Sequence, residues 1–194
     1  TMVELILNQI RDKKIIILGF GREGVSSYRF LRKHFPDMDI VAADRSENLK
    51  IDEYKNDKHL KFVIGKDYDR NLNDYDLILK TPGVNLNNIN YFIQPQRITS
   101  QTELFLYGYN HQVIGVTGTK GKSTTSSLIY HILSNSRGNT FLAGNIGIPF
   151  FDIVDQLDDD SVIVAELSAH QLEYTTISPH VAILLNIYQE HLDH

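Results

Sequence analysis

The chain has 194 residues, 42% hydrophobic and 22% charged, the balance of a soluble globular protein with one large domain or two small ones rather than a disordered or fibrous one. Nineteen Lys and Arg against 24 Asp and Glu give a net charge of −5, which argues against a nucleic-acid partner. The lack of cysteine excludes disulfides, thiolate metal sites and cysteine nucleophiles, and with no secretory pattern and no apolar run near the ~20 residues of a membrane span, the expectation is a cytoplasmic protein without a membrane partner.

In chain order, Ile15-Ile16-Ile17-Leu18 is a β-branched run that stops at Gly19, as a buried parallel strand would. Val25, Tyr28, Leu31 and Phe35 then fall at helical spacing before Pro36. Further strand-like runs are Ile40–Ala43 ending at Asp44, Phe62–Ile64 ending at Gly65, and Leu77–Leu79 ending at Lys80, with turn chemistry at Thr81-Pro82-Gly83. The pattern restarts near residue 112 with Val113–Val116 and a loop rich in Gly, Thr and Lys. Leu128, Ile129, Ile132 and Leu133 form an apolar helical stripe ending near Gly138. Val162–Ala165 ends at Glu166, Val181–Leu185 ends at Asn186, and Asp158–Asp160 reads as a solvated loop. Strands alternating with helices predict an α/β fold with parallel sheets and right-handed crossovers, in two domains, 1–107 and 108–194.

Gly19-Phe20-Gly21-Arg22-Glu23-Gly24 follows a strand and opens a helix, the context that G-x-G-x-x-G requires. The first glycine permits the tight turn, the second a close approach to phosphate, the third close helix packing. Asp44 ends the next strand, where a carboxylate can accept hydrogen bonds from a ribose or base. The pattern points to a Rossmann-like nucleotide site without naming the nucleotide; a glycine turn kept only for packing is the bland alternative.

Gly118-Thr119-Lys120-Gly121-Lys122-Ser123-Thr124 is the stronger signal. A strict G-x-x-x-x-G-K-[ST] would need glycine where Val116 stands, yet the physics survives the mismatch. Successive backbone N–H groups at a helix start can cradle phosphates, Lys122 can reach the β- and γ-phosphates, and the Ser123 hydroxyl can hold Mg²⁺. Glu166, at the carboxyl end of a strand, can coordinate the same ion directly or through water. His191 and Asp193 follow the next strand.

Residues 115–124, Gly-Val-Thr-Gly-Thr-Lys-Gly-Lys-Ser-Thr, resemble the ATP loop of the Mur ligases, the amide-forming enzymes of peptidoglycan precursor synthesis. Ala143-Gly144-Asn145-Ile146-Gly147, the run Glu166-Leu167-Ser168-Ala169-His170-Gln171-Leu172-Glu173, and Asn186 through His191-Leu192-Asp193 agree in order and approximate spacing. Thr81-Pro82-Gly83 and Thr102-Glu103-Leu104-Phe105 extend the likeness to the first half, and the run from Glu166 is most similar to the D-glutamate-adding branch. The resemblance implies a Rossmann-like domain binding the UDP part of UDP-N-acetylmuramoyl-L-alanine, and a P-loop-type α/β central domain binding ATP. Phosphate contacts would come from the turn at Gly19, Gly21, Arg22, Glu23 and Gly24, and uracil contacts from Asp44, Arg45, Thr81, Pro82 and Gly83. ATP would sit on Gly118, Thr119, Lys120, Gly121, Lys122, Ser123 and Thr124, with Ser123 and Glu166 around one Mg²⁺ and His191 on a second. Asn145 would contact the substrate near its reacting end, and Lys122, Glu166 and His191 would form the catalytic set.

The resemblance also implies a third domain and a carbamylated lysine beyond the histidine motif, whereas no lysine follows Lys122. The expectation is therefore an incomplete central domain in a piece of a longer ligase, inactive alone, with Thr1 ahead of Met2 reading as an expression scar. Other readings are another Mur-type ligase, a non-catalytic nucleotide-binding relative, and a pyridine-nucleotide oxidoreductase; the last leaves Gly118–Thr124 unexplained.

Overall fold

A computed structural model describes residues 1–189, and His191 and Asp193 of the expected site lie outside them. The chain divides into two compact units, Leu7–Gln101 and Thr1–Ile6 with the residues from Thr102 onward. Helix α1 (Met2–Ile10), which the sequence reading did not anticipate, runs across the first division.

Within residues 7–101, β1 (Ile15–Leu18), helix α2 (Arg22–His34), β2 (Ile40–Asp44), β3 (Leu60–Ile64), β4 (Leu77–Lys80) and the two-residue β5 (Ile98–Thr99) build a five-stranded sheet of order β3-β2-β1-β4-β5. All its pairings are parallel, Ile17 of β1 lying between Ala42 of β2 and Leu79 of β4. The four residues of β1 are buried, which is why this strand reads as an unbroken apolar run instead of alternating. Order 3-2-1-4-5 places a switch point between β1 and β4, where the crossovers leave the sheet in opposite directions and open a crevice at the strands' carboxyl ends.

The stretches after β2 and β3 carry only single 3-10 turns, Ile51–Tyr54 and Leu72–Asp74, in place of the helices that alternation predicted. Neither polar stretch has a 3.6-residue apolar stripe long enough to hold a helix on the sheet. An aromatic cluster packs there instead: Phe20 meets Tyr28, Tyr54 and Phe62 edge-on, with centroids 5.3–6.1 Å apart. Helix α2 ends where Pro36 approaches. Arg32 holds that end, giving Nε to Asp57 at 2.7 Å and Nη1 to the carbonyls of Phe35, Pro36 and Met38, a cation where the helix dipole favours one.

The second unit contains α3 (Gln101–Tyr109), β6 (Val113–Thr117), α4 (Lys122–Ser136), β7 (Thr140–Gly144), α5 (Phe150–Ile153), β8 (Val162–Glu166), α6 (Ala169–Leu172) and β9 (Val181–Leu184). Its sheet is parallel, in order β7-β8-β6-β9. The contact division falls at Gln101/Thr102, earlier than the 107/108 boundary read from sequence, because α3 belongs to this core. Phe105 stacks on Phe150 at 4.7 Å, and the Glu103 carboxylate accepts from the backbone N–H of Thr176 at 2.9 Å.

The expected stripe on α4 is only half covered. Ile129 and Leu133 are partly buried, but Leu128 and Ile132 are each 57% exposed. Neighbouring helical positions point ~100° apart, so 128/132 and 129/133 cannot face one sheet equally. Strand β9 is the edge of the described sheet, with Leu184 61% exposed.

Candidate functional site: two glycine turns on two sheets

The first site lies at the carboxyl ends of β1, β2 and β4. A cleft of about 990 Å³ is lined by Gly19, Gly21, Arg22, Glu23, Gly24, Asp44, Arg45, Thr81, Pro82 and Gly83, so tertiary structure gathers every residue picked from the first half of the sequence. Lys66, Tyr68, Asp69, Asn85 and Asn88 also line it; no motif marked them.

The turn is held from inside the protein. The N–H of Gly19 donates to Ala43 O at 2.7 Å, and Asp44 accepts from Phe20 N at 2.7 Å and from Ser46 N at 2.8 Å. Asp44 thus first ties the glycine turn to the end of β2. Thr81 similarly spends its hydroxyl on Leu18 O at 3.0 Å. Gly24 is required sterically, since a Cβ there would sit 2.1 Å from the carbonyl oxygen of Gly19.

Behind the turn are two charges. Lys80, 3% exposed, closes β4 and donates from Nζ to Thr81 O at 3.3 Å. Glu23, in the first turn of α2, has a buried Oε1 without a hydrogen-bond partner among the described residues. Burial pushes its carboxyl up to about 7, against the pull of Lys80 and Arg22. A lysine closing an apolar strand was the sequence signal for Lys80.

In the second unit, β6 feeds the loop 118–121 into α4, whose N-cap Gly121 is left-handed at φ 86°. Lys122 folds back over the loop, its Nζ 2.7 Å from Gly118 O and 3.1 Å from Thr119 O, a cation poised where phosphate oxygens can replace the carbonyls. Asn186, following β9, clamps the loop: its Oδ1 accepts from Lys120 N and its Nδ2 donates to Lys120 O, both at 2.9 Å. Thr119 N adds a bond to Asn186 O at 3.1 Å. The sequence places Asn186 at the end of a strand and at the head of a segment that resembles the Mur ligases, and tertiary contact reveals the clamp.

Glu166 ends β8, next to β6 in the sheet, and is 2% exposed. Asn145, after β7, donates from Nδ2 to Glu166 Oε1 at 3.0 Å and from its backbone N–H to Glu166 O at 2.9 Å. The other oxygen, Oε2, is buried with no partner among the described residues. Burying an unpaired carboxylate oxygen is costly, so this donor set fits a divalent cation. No group of three or more His, Asp or Glu that could hold a metal occurs among the described residues, and no helix there is long and apolar enough to cross a membrane.

Two parallel sheets, each with a glycine turn opening a helix at its carboxyl edge, define an α/β protein with two turns of a shape that can receive phosphate. Residues 13–96 match the family "Mur ligase MurD-like, N-terminal domain", and residues 116–194 match "Mur ligase middle domain". The chain belongs to the Mur ligase family and carries its N-terminal and middle domains. It is 31% identical over 192 residues to UDP-N-acetylmuramoylalanine–D-glutamate ligase of Acetivibrio thermocellus, covering 95% of this chain and 41% of that protein. The enzymes of the same name from Clostridium kluyveri and Borreliella burgdorferi are 34% identical, over 95% and 96% of this chain and 41% and 43% of theirs. The chain thus spans about two fifths of the length of these relatives. The solved structure of UDP-N-acetylmuramate:L-alanyl-gamma-D-glutamyl-meso-diaminopimelate ligase from Neisseria meningitides aligns with 92% of this chain and 62% of its own, at 18% identity and a TM-score of 0.47.

Proposed function

We propose that this chain provides the precursor-binding and ATP-binding parts of a cytoplasmic ligase that adds D-glutamate to UDP-N-acetylmuramoyl-L-alanine in peptidoglycan precursor synthesis. The observation that carries the reading is the pairing of a glycine-turn cleft on one sheet with a lysine-bearing phosphate loop on the other, in a chain whose relatives bear that name. Residues 1–107 would take the UDP precursor and residues 108–194 ATP.

In the first cleft, the N–H groups at the α2 N-terminus would face the diphosphate. Arg22 and Arg45 line the same cleft and can offset its charge. In the second unit, ATP would lie on Gly118–Thr124, with Lys122 exchanging its loop carbonyls for phosphate oxygens. The precursor's terminal carboxylate attacks the γ-phosphorus, giving an acyl phosphate and ADP; the amine of D-glutamate then attacks the acyl carbon, and phosphate leaves. Both attacks bring anions together, so the protein's task is positioning and charge stabilisation. Ser123 and Glu166 would hold Mg²⁺, with His191 proposed for a second ion, and bound metal would neutralise phosphate charge. Asn145 orients the Glu166 carboxylate for that role.

Calorimetric titration with UDP-N-acetylmuramoyl-L-alanine, ATP and NADH tests the reading. Binding of the first two and silence from NADH is expected. Binding of NADH alone would overturn the assignment of the cleft.

A further inference from the structure

Glu23 is an odd residue to find at an anion-binding turn. It sits in the first turn of α2 on the wall of the glycine-turn cleft, one residue from Gly24, with Oε1 buried and without a hydrogen-bond partner among the described residues. A second negative charge brought to this turn would face the carboxylate in a poorly hydrated place, where repulsion is strong. The unpaired oxygen is also a place for a proton, since a protonated carboxyl turns from acceptor into donor.

We propose that the cleft takes its doubly esterified nucleoside diphosphate together with one proton, which is held on Glu23. This rests on the reading of the cleft as a nucleoside-diphosphate site and deepens it. In the complex the neutral Glu23 carboxyl is a hydrogen-bond donor at the turn instead of a repelling charge. The proton comes from solvent and returns to it when the ligand leaves; no covalent bond changes.

The neighbourhood supports a proton exchange near neutrality. The charges acting on Glu23 are Lys80 from β4 and Arg22 from its own helix, both favouring the ionised form, while burial opposes them more strongly and pushes the carboxyl up to about 7. Strand β1 presents no titratable group, being Ile-Ile-Ile-Leu. Gln101 donates from Nε2 to Glu23 O at 3.4 Å and brings no charge. The other charged groups of the cleft are Asp44, which ends β2, and Arg45, Glu47, Lys66 and Asp69, which follow β2 and β3; Asp44 is occupied by the N–H groups of Phe20 and Ser46. Near pH 7 the free protein is thus a mixture of both forms, and an added anion draws it to the protonated one.

The test is calorimetric titration of the chain with UDP-N-acetylmuramoyl-L-alanine at pH 6, 7 and 8, in buffers of different ionisation enthalpy. UDP itself is unsuitable because a terminal phosphate titrates near ~6. Expected is an uptake of up to about half a proton per ligand at pH 7, growing toward pH 8, with affinity falling by up to about tenfold per pH unit above 7. In Glu23→Gln the uptake disappears, affinity becomes independent of pH, and binding at pH 8 is tighter than in the unaltered protein. Binding with no buffer-dependent heat overturns the proposal while leaving the cleft assignment intact, as does the same uptake persisting in Glu23→Gln. No binding at any pH overturns the cleft assignment itself. The buffer series on the unaltered chain decides the matter even if the variant does not fold.

Discussion

Asn186 and Lys120 are joined by a reciprocal pair of hydrogen bonds, side-chain amide to backbone amide, each 2.9 Å. The pair links the segment after β9 to the middle of the glycine-rich loop, so the loop's shape depends on a residue 66 positions away in sequence. Replacing Asn186 by Ala removes both bonds. At roughly 0.5–1.5 kcal/mol each, ATP affinity should fall about 5–150-fold while the sheet persists. Asn186→Asp keeps the acceptor for Lys120 N and loses the donor, and should fall between. Calorimetry with ATP checks the order.

Lys122 makes its two contacts to carbonyls of its own loop, and its side chain is not part of a core. Lys122→Met should leave the melting temperature within a few degrees of the original. Loss of a charge-assisted bond, roughly 1.5–3 kcal/mol, should weaken ATP binding by about 10–150-fold. Thermal melts with and without ATP separate the two effects.

Glu166→Gln tests the proposed metal role. The substitution keeps an acceptor for Asn145 Nδ2 and removes a charge whose second oxygen is buried and unpaired, so the unliganded protein should melt no lower than the original. The additional stabilisation that Mg²⁺ gives on top of ATP should be lost. Melting curves with ATP alone and with ATP plus Mg²⁺ provide the comparison.

Gly24→Ala forces a Cβ to 2.1 Å from the carbonyl oxygen of Gly19. Either α2 or the turn must move, at a cost of about 1–3 kcal/mol, and the wall of the cleft changes shape. Denaturant titration should report lower stability, and binding of the UDP precursor should fail before folding does.

Glu23 also sets a pH dependence of stability. Its folded carboxyl titrates at about 7 against an ordinary 4.5, so between these values the folded state binds more protons than the unfolded state. Stability contributed by Glu23 is complete below about 4.5 and is lost as pH rises through about 7. The Glu23→Gln protein should therefore gain on the original between pH 5 and 8. Urea midpoints of both proteins across that range measure the gain.

Much of the architecture was local enough to be legible in the residues themselves. β1, β2, β4 and β8 are short apolar runs that stop at Gly19, Asp44, Lys80 and Glu166, because a strand buried on both faces needs no alternation and ends where polar chemistry begins. The two glycine turns announce themselves by spacing, since backbone that must approach phosphate cannot carry side chains at those positions. The two residues of β5 have no comparable pattern and are a strand because β4 offers them a hydrogen-bonding edge, whereas β7, Thr-Phe-Leu-Ala-Gly, is one more short apolar run that stops at glycine. Helix α3 joined the second unit through Phe105 on Phe150 and Glu103 on Thr176, contacts that no local pattern near the boundary encodes. The charge of Glu23 and the clamp at Asn186 belong to the same class. Hydrogen-bond partners and dielectric surroundings arrive from distant parts of the chain, so only the folded structure decides which carboxylate keeps a proton and which amide holds a loop.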